Sequence, residues 1–110
     1  MKTVTVTKTR TLAASDVWTS DAIHITSGWF WQWAVEVITT GTGTLTVQFQ
    51  TSLDGSNFYT GATAICTAVA AGTTPIIYAP TIPLAPWIKF ILTEAGGAAQ
   101  VIATVVACYA

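Results

Sequence analysis

The feature that most constrains this chain is a two-residue period. Residues 3–9 put Val4 and Val6 on one side of an extended backbone and Thr3, Thr5, Thr7 and Thr9 on the other. Residues 22–26 set Ile23 and Ile25 against His24, and residues 44–51 set Leu45, Val47 and Phe49 against Thr44, Thr46, Gln48 and Gln50. Successive side chains of a strand point to opposite faces, whereas a helix repeats every 3.6 residues, so this pattern buries one face only as a strand. The chain reinforces it with twenty-one Thr, ten Val and ten Ile, whose branched side chains suit a pleated surface.

Further strands follow from the same reasoning. Residues 29–38 carry Trp29, Trp31, Trp33, Val35 and Val37 on one face and Phe30, Gln32, Ala34, Glu36 and Ile38 on the other. Thr40-Gly41-Thr42-Gly43 is expected to join this segment to residues 44–51 as a short β-hairpin, because Gly accepts the positive φ of such turns. Ser52-Leu53-Asp54-Gly55-Ser56-Asn57 reads as a turn, with Phe58-Tyr59 opening another strand. Residues 64–70 are expected to be a strand around Ile65 and Val69, with a helix as the competing reading in this Ala-rich stretch. A short apolar piece at 75–79 precedes Pro80, Pro83 and Pro86, which make an extended connection. Trp87–Thr93 reads as a strand apolar on both faces, and Glu94-Ala95-Gly96-Gly97 turns into a last strand at about 99–109. Seven to nine short strands without a helix predict a single all-β domain over residues 1–110, a two-sheet antiparallel β-sandwich with jelly-roll connections as one form of it.

Composition narrows function. Hydrophobic residues make up 52% and charged residues 8% of the 110, against about 25% charged in an ordinary soluble domain. Such a chain is not disordered. A net charge of −1 supplies no basic field for nucleic acid or an anionic membrane. Thr alternates where a secretory leader needs an apolar run, and no stretch reaches the ~18 apolar residues of a membrane helix, so the expected birthplace is the cytosol. Cys66 and Cys108 make neither a zinc site nor a disulfide framework, and they are expected to be small buried side chains in strands, with a single bridge between them as the alternative.

Catalytic chemistry finds little to work with. His24 is the only histidine, and it stands on the polar side of its alternation with no partner at triad or metal-ligand spacing. The acids Asp16, Asp21, Glu36, Asp54 and Glu94 are scattered, mostly where turns favour them. Asp54-Gly55-Ser56-Asn57 lacks the remainder of a calcium loop, and Gly41-Thr42-Gly43 lacks the helix and Lys of a phosphate loop. The expectation is a non-enzyme with no catalytic residue, metal or cofactor.

Five Trp in so small a chain require burial or a partner. With nine formally charged residues, Thr, Ala and apolar side chains must form most of the exterior. That predicts contacts with sister copies, with Trp29, Trp31, Trp33, Trp87 and Tyr109 as the candidate interface or binding face. The alternative is a carbohydrate-binding module using Trp29, Trp31 and Trp33 as a sugar platform, although Val35 and Val37 continue that face without polar neighbours.

Two segments carry a resemblance. After the strand Leu45-Thr46-Val47-Gln48-Phe49-Gln50, the turn Ser52-Leu53-Asp54-Gly55-Ser56-Asn57-Phe58-Tyr59 and then Ala85-Pro86-Trp87-Ile88-Lys89-Phe90, closed by a Gly-containing hairpin into a Val/Thr strand, resemble the small β-sandwich virion proteins of tailed bacteriophages. The resemblance covers residues 35–109. Lys89 stands where arginine is common in that pattern, and the Trp-rich run lies outside it. It implies a structural protein of the virion: a capsid decoration or auxiliary protein, or a fibre or tail component. A homo-oligomer, first of all a trimer, and a major capsid or other virion protein are the partners it implies.

Overall fold

A computed structural model describes residues 4–24, 33–59, 63–70, 72, 76–78, 86–97 and 101–109. Among them are nine strands and no helix. They are β1 (Val4–Leu12), β2 (Val17–Thr19), β3 (Ile23–His24), β4 (Trp33–Gly41), β5 (Thr44–Ser52), β6 (Thr63–Ala70), β7 (Ile76–Tyr78), β8 (Trp87–Glu94) and β9 (Val101–Tyr109). One sheet has the order β1-β9-β4-β7 and the other β2-β8-β5-β6. Strand β3 pairs with β8 beyond β2, so these two short strands share one long neighbour. All pairings are antiparallel. This is the strand order of a jelly-roll β-sandwich.

The period-two pattern places the core between the sheets. Leu45, Val47 and Phe49 of β5 are buried, as are Ile88, Phe90 and Leu92 of β8, while the residues between them are half-buried. Register aligns the two sets: Phe49 stands opposite Phe90, and Val47 opposite Leu92. Ile23 of β3 extends this surface, and among the described residues Leu12 of β1 and Val37 of β4 are buried apolar side chains of the facing sheet. Each such side chain contributes about 1.5–3 kcal/mol by leaving water. Ser20 is buried between β2 and β3 without breaking the sheet, because its N–H donates to the Phe90 carbonyl at 2.8 Å and its Oγ accepts the Phe90 N–H at 3.0 Å.

Three expectations are corrected by the fold. The turn before β5 does not close a hairpin: β4 pairs with β7 and β9, β5 pairs with β6 and β8, and the chain crosses between sheets. The turn between β8 and β9 crosses in the same way. A tight Gly turn between alternating strands serves a hairpin and a crossing equally, and the long-range partners β8 and β9 decide which forms. Phe58 and Tyr59 do not begin a strand, though the Tyr59 N–H donates to the Thr51 carbonyl at 3.1 Å. As expected over 64–70, the Ala-rich 63–70 stretch is a strand and not a helix, because pairing with β5 outweighs the helix propensity of Ala.

Candidate functional site

The two segments that carried the resemblance meet at one end of the β5–β8 pair, where Ser52 stands in register with Trp87 and Gln50 with Lys89. Ser52 is buried and organises the turn from below. Its Oγ donates to Asp54 Oδ1 at 2.9 Å and accepts the Gly55 N–H at 3.0 Å. Asp54 Oδ1 also accepts the N–H groups of Ser56 and Asn57, at 2.9 and 2.8 Å, and Asp54 Oδ2 accepts from Asn57 Nδ2 at 2.7 Å. These donors, led by the Asn57 and Ser56 N–H groups, hold the Asp54 carboxyl well below the usual carboxylate range.

Gly55 has φ of +82°, and a Cβ there would stand 2.8 Å from the Trp87 indole. The turn therefore rests directly on the Trp87 ring. His24 stacks on the same indole, with centroids 4.0 Å apart and planes 5° from parallel. Two residues on, the Lys89 ammonium lies over the Phe58 ring at 4.2 Å from its centroid. Substituting Gly55→Ala adds left-handed strain to that clash and should cost about 2–4 kcal/mol. Trp87→Leu in the same chain should restore part of the loss, which urea denaturation of the single and double variants measures. Full additivity would refute the contact.

Beside the turn lies a groove of about 320 Å³ lined by Leu53, Asp54, Asn57, Phe58 and Tyr59. Leu53 is 73% and Tyr59 65% exposed, so a large aliphatic and an aromatic side chain stand open next to an oriented carboxylate and amide.

The opposite end of β8 holds a second polar centre. Glu94 is buried, and its carboxylate accepts from four backbone N–H groups: Ser15 at 3.2 Å, Thr44 at 2.8 Å, Gly96 at 3.1 Å and Gly97 at 2.6 Å. The Thr44 hydroxyl adds a fifth donor at 3.2 Å. Ser15 lies between β1 and β2, Thr44 opens β5 after β4, and Gly96 and Gly97 lead from β8 to β9. One carboxylate thus ties three crossings between the sheets. The Thr44 N–H is the leading cause, and against the opposing effect of burial these bonds lower the Glu94 pKa from 4.5 to about 2.

Of the candidate face, Trp87 is half-buried between Gly55 and His24, and Trp33 stands in register with Tyr109 across β4 and β9. Trp29 and Trp31 lie outside the described residues. Cys66 is on β6 and Cys108 on β9, in different sheets. His24 is exposed, and among the described residues no three His, Cys, Asp or Glu side chains gather as a metal site would require. Neither the groove nor the Glu94 centre was singled out in the sequence. The signals were there: aromatic residues directly after an Asx turn, and an acid placed just before paired glycines.

Charge is divided unevenly across the sandwich. Lys8, Arg10, Asp16, Asp21 and His24 cluster on β1, β2, β3 and their connections, where Lys8 pairs with Asp21 at 2.9 Å and the Arg10 guanidinium lies 5.6 Å from the Trp18 ring centroid. Between Asp54 and Lys89 the chain has no acidic or basic residue. That stretch contains β6 and β7, which end the two sheets on the side away from β1 and β2.

No family model and no curated protein matches the sequence. Among solved structures, the chain is similar to PirA, with a TM-score of 0.55 and 15% identity over 90% of each chain. It is also similar to a chain in the structure of infectious bursal disease virus, Gx strain, with a TM-score of 0.65 and 15% identity. The match covers 97% of this chain and 32% of the virus chain, so this chain spans about a third of that one. At such identity the likeness is one of fold, and what the chain shares with both is an all-β sandwich.

Proposed function

We propose that this chain is a non-enzymatic structural subunit of a virus particle, a decoration or auxiliary capsid protein of a tailed bacteriophage, whose copies associate as trimers. The observation that carries the reading is the absence of any charged residue on β6 and β7, with half-buried Glu36 of β4, opposite Ile77 of β7, set one strand inward. A flank without charged groups sheds little hydration on contact and leaves no unpaired ion in an interface. Its edges are guarded by other means: β6 is bulged twice against β5, and β7 is three residues long. The association is therefore by side-chain packing rather than by strand addition. The likeness to the virus chain supports a sandwich suited to such assembly, and the two resembling segments support the bacteriophage assignment.

Analytical ultracentrifugation at micromolar concentration tests it. The expected species has three times the 11.6 kDa chain mass. Thr67→Lys, at an exposed position of β6, should shift it to monomer with little change in thermal midpoint. A wild-type chain that sediments as a monomer would overturn the proposal.

A further inference from the structure

We infer that the groove beside the 52–57 turn is a saccharide site, taking one sugar ring through two adjacent hydroxyls. None of its lining residues belongs to the expected Trp29, Trp31 and Trp33 platform, and the inference does not rest on the assembly role. Its volume of about 320 Å³ lies at the small end of ligand pockets, which suits a single ring.

The polar groups are arranged for a diol. Asp54 Oδ1 already accepts three hydrogen bonds, while Oδ2 accepts one, from Asn57 Nδ2. A carboxylate oxygen has room for a further donor, so Oδ2 can accept a sugar hydroxyl. The Asn57 amide is bonded to that same oxygen through one N–H, and it carries a second N–H and a carbonyl oxygen. An adjacent hydroxyl, which is both donor and acceptor, fits either. Asp54 and Asn57 thus present an acceptor and a donor–acceptor side by side, at the spacing their mutual hydrogen bond of 2.7 Å imposes.

The apolar groups complete the match. Tyr59 is 65% exposed and Leu53 is 73% exposed, so both offer carbon surface to the C–H face of a ring. The Phe58 ring is covered by the Lys89 ammonium, leaving Tyr59 as the open aromatic. Lys89 also decides the charge of the ligand. Its cation lies over Phe58, a residue of the groove lining, so a neutral polyhydroxy ligand is favoured over a basic side chain. Ser52 beneath the turn and Trp87 behind Gly55 fix the polar pair in place, so little ordering opposes binding.

Saturation-transfer NMR on the full chain tests this with glucose, galactose, mannose, rhamnose and N-acetylglucosamine, each at millimolar concentration, and with trilysine as a cationic control. At least one sugar should receive saturation at its ring C–H protons, and its titration should shift backbone signals of residues 53–59. Tyr59→Ala should weaken that sugar about tenfold with an unchanged thermal midpoint, and Asn57→Ala should weaken it similarly. Silence from all five sugars, shifts confined to another surface, wild-type binding by both variants, or binding of trilysine instead would each overturn the assignment. Because Thr67→Lys lies on a different strand, sugar binding should survive it even where assembly fails.

Discussion

Replacing Glu94 with Gln should lower the thermal midpoint at neutral pH by about 10–15 °C, on the scale that links lost buried hydrogen bonds to melting in a domain of this size. The amide keeps the shape of the carboxylate but turns an NH₂ group toward N–H donors, whichever way it is placed. Oε1 accepts from Ser15 and Gly97, and Oε2 from Thr44 and Gly96, so either orientation orphans two of them. With the amide nitrogen at the Oε1 position, Ser15 is one of the two orphans. It has φ of 63° without being glycine, a conformation that costs about 1–2 kcal/mol and that its bond to Glu94 helps to hold.

The same carboxylate sets an acid limit on stability. Its pKa falls from 4.5 to about 2 on folding, so the folded state binds its proton less readily than the unfolded state does. Its stabilisation is fully present above pH 4.5 and is lost as pH falls through 2. Melting followed by circular dichroism should therefore show wild type and Glu94→Gln converging in that interval. Asp54, lowered in the same direction, adds its own loss to both proteins. A gap between the two midpoints that persists unchanged to pH 2 would contradict the role given to Glu94.

What the sequence displayed and what it hid follow from the range of the interactions. The burial of Leu45, Val47 and Phe49, the exposure of His24 opposite buried Ile23, and the strand at 63–70 are properties of neighbours along the chain, so alternation reveals them. Strand β2 escaped because it has three residues, with Val17 and Thr19 both exposed, and is defined by pairing with Ile91–Thr93 of β8. The turns before β5 and after β8 were placed correctly but misread as hairpins, since a turn does not state which sheet receives the next strand. The functional features needed that same knowledge. Glu94 becomes a clamp because Ser15 and Thr44 are brought to it from 79 and 50 positions away. The Asp54 turn becomes rigid because Trp87 arrives beneath Gly55. Both segments were visible as strings of residues, and the fold joins them: the glycine of one seats on the aromatic of the other.

Phe90→Ala should be as damaging as any single substitution in the core, with a loss of about 3–5 kcal/mol. Against a total stability of about 5–15 kcal/mol for an ordinary domain, that is enough to populate unfolded chain at physiological temperature. Phe90 is fully buried, and its neighbour across the pair is Phe49, equally shielded from water, so the cavity opens at the centre of the sandwich where two strands cannot both move in. Its position on β8 widens the consequence. That strand pairs with β2, β3 and β5, bears Trp87 and Lys89 at one end, and ends in Glu94. Hydrogen exchange should accelerate at the 52–57 turn and at residues 94–97 together in Phe90→Ala, whereas Tyr59→Ala should leave both unchanged. Ile91→Ala, on the half-buried face of the same strand, serves as the control and should cost clearly less. A Phe90→Ala loss no larger than that of Ile91→Ala would mean that β8 is not the strand on which both ends of the sandwich depend.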